Sequence, residues 1–268
     1  MIKFAFFGTD EFAVAILENL KSRKLPPSVI VTMPDKPRGR KLFLTPTPVK
    51  TWAEKNKIPF TTDNPQGNFD LFVVASYGKI IKKEVLGLPR FGALNIHPSL
   101  LPKYRGPSPI QTAILNDDEE TGVSIMLLDE EMDHGPILSQ KMITAKGKSY
   151  TELRGELATL GAEMLAEVMP RWIAGEIKTE PQIHSEATFT KKIEKSDGEI
   201  NLNDDPESNF QKFRAYSPWP SIYFFDSKNR RIKITDATLE NGIFIIRKVV
   251  PEGKAEMLWD DWKRGLGN

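Results

Sequence analysis

An α/β fold with a mostly parallel sheet, followed by a smaller β-rich domain, is what this sequence predicts. Three observations carry the prediction. Short, largely apolar runs at residues 2–7, 29–32, 71–75 and 94–97 alternate with amphipathic stretches, the pattern of buried parallel strands covered by helices on both faces. Residues 123–128 and 137–143 then read as strands with no helix between them, and so as an antiparallel extension of the same sheet. Beyond about residue 181 the pattern changes to short strand candidates broken by turns, at 222–225, 231–235 and 242–248, as in a small β-barrel or a fragment of one.

The elements follow in order. Gly8-Thr9-Asp10 ends the first run, and a helix is expected over 11–21. It lacks the Gly-x-Gly-x-x-Gly spacing of a dinucleotide loop, so Gly8 reads as the residue of a tight strand-to-helix turn. Helices are expected over 49–56 and 109–115. A long one should begin at Thr151 as its N-cap, with Leu153, Leu157, Leu160, Met164 and Val168 at helical spacing; Pro170 should kink or reset it before Gly175. Residues 181–192 have no clear period. A helix over 206–215 and the turn-like Ser217-Pro218-Trp219-Pro220 come next. The expected organisation is a catalytic domain over 1–180, a linker over 181–195 and a C-terminal domain over 196–268.

Composition narrows the chemistry. The chain has 268 residues, no cysteine and three histidines, so disulfides, thiolate zinc sites and a cysteine nucleophile are excluded, and no metal is expected. No apolar run approaches the roughly 18 residues that cross a bilayer. The first residues read as a strand rather than a secretory signal, which points to a cytoplasmic protein without a membrane partner. The net charge of +1 conceals an asymmetry: residues 1–60 carry eleven Lys/Arg against five Asp/Glu. The density peaks at Lys36, Arg38, Arg40 and Lys41. Such a cluster is either a solvated loop or a phosphate contact, in which each neutralised cation adds salt-sensitive affinity.

The most informative stretch is Leu94-Asn95-Ile96-His97-Pro98-Ser99-Leu100-Leu101-Pro102, with Asp133 downstream in Asp-His-Gly-Pro. Residues 92–97 read as a strand stopped at Pro98, which cannot donate to a ladder. Side chains alternate along a strand, so Asn95 and His97 leave it on one face. An amide beside an imidazole can polarise a carbonyl, and a nearby carboxylate can orient or charge the imidazole. On the residues alone the alternative stands: a strand-end Asn or His also serves as a turn-former or a satisfied core group. His134 is read as a satisfied polar group.

Together these residues resemble the signature of the formyltetrahydrofolate-dependent formyltransferases. The resemblance implies a Rossmann-like catalytic domain that moves a formyl group from nitrogen 10 of 10-formyltetrahydrofolate to an amine, with Asn95, His97 and Asp133 as its catalytic residues. Asn95 and His97 would stabilise the charge developing on the formyl oxygen, and Asp133 would pair with His97 and help relay the proton lost by the amine. It further implies folate contacts from Ser99, Leu100, Leu101 and Pro102, and from the strand-and-turn carrying Tyr77, Gly78 and Ile80. Gly-Thr-x-x-Phe-Ala after the first strand also matches, with Asp10 where many relatives have proline.

Within that family the acceptor is a nucleotide, an amino sugar or an initiator tRNA. The 34–42 segment, followed by Thr-Pro-Thr-Pro-Val-Lys at 45–50, resembles the loop of the members that formylate methionyl-tRNA, which implies tRNA contacts from Lys36, Arg38, Arg40 and Lys41. Four cations in six residues suit a polyanion better than a single phosphate. The 195–201 stretch, Phe213-Arg214-Ala215, Pro218-Trp219-Pro220 and the 251–257 stretch resemble the OB-like C-terminal domain of the same members. That domain should be abridged, because residues 236–242 link Lys233-Ile234-Thr235 directly to the final part where relatives have an extra pair of strands. An amino-sugar N-formyltransferase is the closest alternative, and the basic loop argues against it; a non-catalytic folate- or RNA-binding relative is less consistent with an intact trio. A monomer is expected.

Overall fold

The computed structural model describes residues 2–38 and 43–265, Arg38 by its backbone alone. Two compact units divide the chain, and neither is continuous in sequence. The first comprises residues up to Pro107, Thr121–Thr144 and Arg154–Thr190; the second comprises Ser108–Glu120, Ala145–Leu153 and the chain from Lys191 onward. Among the described residues no helix is long and apolar enough to cross a membrane.

In chain order the elements leading to the first unit's core are β1 (Phe4–Gly8), α1 (Glu11–Ser22), β2 (Val29–Val31), the short pair β3 (Lys36–Arg38) and β4 (Phe43–Thr45), α2 (Pro48–Asn56), β5 (Phe60–Thr61), β6 (Leu71–Ala75), α3 (Lys83–Leu86) and β7 (Ala93–His97). After α4 (Pro109–Leu115) come β8 (Glu120–Leu127), β9 (Ile137–Thr144) and α5 (Tyr150–Ile173). Seven strands form one sheet in the order β5-β2-β1-β6-β7-β8-β9. The first five are parallel, and β8 runs antiparallel to β7. This is the expected mostly parallel sheet with its extension at one edge. Every residue of β1, β6 and β7 is buried, as a sheet covered on both faces requires.

The chain builds outward from β1 through β2 to β5, then returns to add β6 and β7 on the other side. The carboxyl ends of β1 and β6 therefore flank a topological switch point, where open α/β sheets take their ligands. The turn after β1 is tight because Gly8 lacks a side chain: a Cβ there would lie 2.6 Å from Ala13 Cβ and 2.7 Å from the Phe6 ring. Asp10 then caps α1, accepting from Phe12 N at 3.0 Å and Ala13 N at 3.2 Å. Its other oxygen accepts from Ser76 Oγ at 2.6 Å, so Asp10 ties the turns after β1 and β6 together.

Helix α5 lies against β7. Gly161 allows the approach, since a Cβ there would be 2.6 Å from Ile96 Cγ2. One expectation is corrected in this helix. It begins one residue before Thr151, and the cap is Ser149: Ser149 N donates to Glu152 Oε2 at 2.9 Å and Glu152 N to Ser149 Oγ at 3.4 Å, a capping box written in the sequence as Ser-x-x-Glu. It also runs through Pro170 to Ile173, because Val168 and Met169 are buried just before the proline and Trp172 Nε1 just after it donates to Phe91 O at 2.9 Å.

The second unit contains α4, α6 (Pro206–Tyr216), β10 (Tyr223–Phe225), β11 (Arg231–Glu240), β12 (Ile243–Pro251), β13 (Met257–Leu258) and α7 (Trp259–Arg264). Its strands make one antiparallel sheet in the order β10-β11-β12-β13. No pairing joins its two edges among the described residues. The reading of 236–242 as a direct link is corrected. Residues 236–240 continue β11, and Asn241 and Gly242, with φ of 51° and 74°, form a two-residue hairpin loop between Glu240 and Ile243. Asn-Gly with both φ positive is the residue pair that a type I′ turn selects. A cluster of Phe224, Trp259 and Trp262, with ring centroids 4.8–5.9 Å apart, seats α7 on β10.

Arg214, on α6, is buried and donates to Asp117 Oδ1 at 2.8 Å, and Lys146 lies 3.4 Å from Asp117 Oδ2. Burial pushes the Asp117 carboxyl up, but hydrogen bonds from Arg214 and Lys146 together outweigh it and hold the group below its ordinary value. The stability this group lends is thus complete above the unfolded carboxylate range and is withdrawn as pH falls through the lowered value. Asp117→Asn should lower Tm near neutral pH by about 2–4 °C and lose less on acidification than the parent chain. Parallel Tm-versus-pH curves for the two proteins would show the pair to be inert.

Candidate active site

The site is built on the end of β7. Ile96 points toward α5, so alternation sends Asn95 and His97 to the opposite face, as the sequence implied. Both are buried, 8% and 4% exposed. The loop after β8 brings Asp133 to them. Asn95 Nδ2 donates to Asp133 Oδ1 at 3.3 Å, and His97 Nδ1 lies 3.5 Å from the same oxygen. The other carboxylate oxygen accepts from Gly106 N at 2.7 Å. Asp133 itself has φ of 50°, a left-handed conformation that Asp tolerates better than most residues. The three residues singled out in the sequence therefore converge.

The histidine's orientation follows from its other nitrogen. His97 Nε2 is 2.9 Å from Tyr104 O, and a carbonyl only accepts, so the proton sits on Nε2. Nδ1 is the nitrogen left to take a proton beside Asp133. An amide donor, an imidazole nitrogen and a carboxylate, all largely buried, thus meet at one point, equipment suited to stabilising an oxyanion and receiving a proton.

The 99–102 turn is held from beneath by polar groups that the sequence reading did not single out. Leu101 N donates to Ser124 Oγ at 3.0 Å, Ser124 Oγ donates to Ser99 O at 2.7 Å, and Gln140 Nε2 donates to Leu101 O at 2.8 Å. Ser99 and Leu101 are buried, whereas Leu100 and Pro102 are half-buried. Ser124 had a signal, being an uncharged polar residue between apolar neighbours in its strand; Gln140, between Ser139 and Lys141, had none. At the switch point Thr9 Oγ1 donates to Tyr77 O at 2.6 Å. The Tyr77 ring lies in the core, edge-on to Phe7 at 5.3 Å, and its burial pushes the phenol up. Gly78 and Ile80 are exposed.

His134 is the satisfied polar group expected: its Nδ1 is 2.7 Å from Asp129 Oδ2 and its ring stacks on His184 at 4.0 Å. The basic segment, read as a loop, contains the antiparallel pair β3–β4, with Lys36 opposite Thr45 and Arg38 opposite Phe43. Proline and glycine without a two-residue alternation hid the hairpin. Lys36, Phe43 and Leu44 are exposed. At the hairpin's base Lys50 Nζ is 2.8 Å from Asp35 Oδ2, which raises the lysine's proton affinity. Arg40 and Lys41 lie outside the described residues, as does the Arg38 side chain.

Comparison with known proteins identifies the family. Residues 2–169 match the family model "Formyl transferase", and residues 192–243 match "Formyl transferase, C-terminal domain". The chain is 43% identical to the methionyl-tRNA formyltransferase of Chloroflexus aggregans over 84% of its own length and 76% of that protein. It is 37% identical to the methionyl-tRNA formyltransferase of Roseiflexus sp. (strain RS-1) over 99% of its own length and 93% of that protein. Among solved structures its fold is similar to the N-formyltransferase from Helicobacter canadensis in complex with folinic acid and dTDP-3-aminofucose. The TM-score is 0.66 at 22% identity, covering 90% of this chain and 89% of that one. This chain belongs to the formyl transferase family, on the branch of the methionyl-tRNA formyltransferases.

Proposed function

We propose that this chain transfers the formyl group of 10-formyltetrahydrofolate to the α-amino group of methionyl initiator tRNA. The observation that carries the reading is the convergence of Asn95, His97 and Asp133 at the end of β7, in a chain whose relatives over most of its length bear that enzyme name.

The neutral amine attacks the formyl carbon, forming the new C–N bond and placing negative charge on the formyl oxygen. Asn95 Nδ2, which has a second hydrogen beyond the one directed at Asp133, donates to that oxygen; one such donor is worth about 3–4 kcal/mol. His97 Nδ1 takes the amine proton, directly or through a water, and Asp133 stabilises the imidazolium that results. The bond from the formyl carbon to folate nitrogen 10 then breaks as that nitrogen regains a proton, leaving formylmethionyl-tRNA and tetrahydrofolate. The 99–102 turn and the exposed Gly78 and Ile80 line the folate side. With its ring in the core, Tyr77 contributes through its backbone. Lys36, Arg38, Arg40 and Lys41 meet tRNA phosphates, with the C-terminal domain as a second contact. A monomer working in the cytoplasm, where translation starts, completes the reading.

A formyl-transfer assay with labelled 10-formyltetrahydrofolate, offering charged initiator tRNA and a nucleotide-linked amino sugar in parallel, should formylate the tRNA alone. Transfer to the sugar alone would refute the choice of acceptor while keeping the catalytic trio. His97→Ala and Asp133→Ala should each reduce kcat by roughly 100-fold or more; near-parental turnover in either would remove that residue from the chemistry. Replacing Arg38 and Arg40 by Ala should weaken tRNA binding and flatten its salt dependence by about one counterion for each phosphate-bound cation removed, with folate affinity unchanged. An unaltered salt slope would make the hairpin a solvated surface feature.

A further inference from the structure

Residues 180–190 fall between the two stretches matched by the family models, and they run as a strap across both loops of the site. Glu180 exchanges two backbone hydrogen bonds with Ile137, each 2.8 Å. Further along, Arg105 N donates to Thr188 O and Thr190 N donates to Arg105 O, both at 2.8 Å, and Tyr104 N donates to Thr188 Oγ1 at 2.9 Å. Between these anchors, buried Gln182 donates through Nε2 to Asp133 O at 2.9 Å and to Gly135 O at 2.8 Å. Its Oε1 accepts from Arg105 Nε at 3.1 Å and Nη2 at 2.7 Å.

Resting on the reading above, we propose that Gln182 and Thr188 are positioning residues of the formyl-transfer site, acting through Asp133 and His97 respectively. Donor and acceptor chemistry admits one arrangement of the Gln182 amide. Arginine can only donate, so Oε1 must face Arg105; Nε2 is then aimed at two carbonyls that can only accept. The amide holds the backbone of Asp133 in its left-handed conformation from behind, while Gly106 N holds the carboxylate from the front. Thr188 works on the other partner. By accepting from Tyr104 N it fixes the peptide segment whose carbonyl binds His97 Nε2, and so sets which ring nitrogen faces Asp133. Tyr104 needs such support because its own φ is 61°. Arg105 is buried, and it reaches neutral acceptors: Gln182 Oε1 and His184 Nδ1, the latter at 2.9 Å. Gln182 thus passes orientation to Asp133 without offering it a cation that would compete with His97 for the carboxylate.

The test uses the full chain in the tRNA formylation assay with Gln182→Glu, Thr188→Val and Thr188→Ser. Gln182→Glu keeps the acceptor for Arg105 but sets an oxygen against the two carbonyls. This variant and Thr188→Val should each lose roughly 10- to 100-fold in kcat, with KM for folate and for tRNA within about twofold and Tm near the parent's. Thr188→Ser, which keeps the hydroxyl, should restore kcat. Nitrogen NMR of the three histidines should show a fixed Nε2–H tautomer for His97 in the parent chain and its loss in Thr188→Val. Parental kcat in both Gln182→Glu and Thr188→Val, or losses that appear in KM alone, would overturn the proposal. If Gln182→Glu does not fold, the Thr188 pair decides: a kcat deficit equal in Val and Ser overturns it. A parent chain without formyl transfer sinks the activity reading instead, and the His97 tautomer, read without substrate, still decides the strap's part.

Discussion

The carboxylate of Asp133 is the point on which the rest of this site depends. One oxygen takes the Asn95 amide and faces His97; the other takes the Gly106 backbone N–H. Three segments, the end of β7, the turn beyond Tyr104 and the more distant loop after β8, are brought together by one anion. Burying that charge is costly unless its lone pairs are filled, and here they are filled by groups to which the proposed chemistry assigns a part. The price is a non-glycine residue held at positive φ, a conformation that persists only where its surroundings over-determine it.

The sheet makes that arrangement possible through alternation. Ile96 fills the space left by Gly161 on α5, which pins β7 on one face and turns its two polar side chains to the other. A Cβ on Gly161 would push the strand and so displace both Asn95 and His97. Packing and chemistry are therefore opposite faces of the same five residues. The alternation in Ala-Leu-Asn-Ile-His shows in the sequence that Asn95 and His97 share one face, whereas their catalytic role is what the resemblance to the formyltransferases implies.

Much of the fold was legible for the same reason. Buried parallel strands announce themselves as apolar runs, and β6 and α4 appear with the bounds expected of them. The misreadings have physical causes. Thr151 is a good capping residue in isolation, but Ser149 wins because Glu152 stands three residues after it and can return the bond. Residues 236–242 looked like a link because Asp, Ala, Glu and Asn carry little strand signal, although Asn-Gly between two strands is a hairpin sign. The β3–β4 pair was hidden by its proline and by the absence of a two-residue period.

The supporting groups of the site were harder to see because their partners are backbone atoms. Gln182, Thr188, Ser124 and Gln140 act on the carbonyls and amides of Asp133, Tyr104 and Leu101, and a backbone atom leaves no mark in a sequence. Only a polar residue out of keeping with its neighbours hints at such a role, and in the 181–192 stretch, where most residues are polar, Gln182 does not stand out. The division has a chemical consequence. Groups that touch reactants must be of particular types and recur as a motif, whereas groups that hold a loop need only supply a donor or an acceptor at the right place. A neutral amide suits that second task here better than a charged side chain would. A lysine or arginine bound at Asp133 would share the carboxylate's charge with a permanent cation, and His97 would lose its partner as it becomes charged.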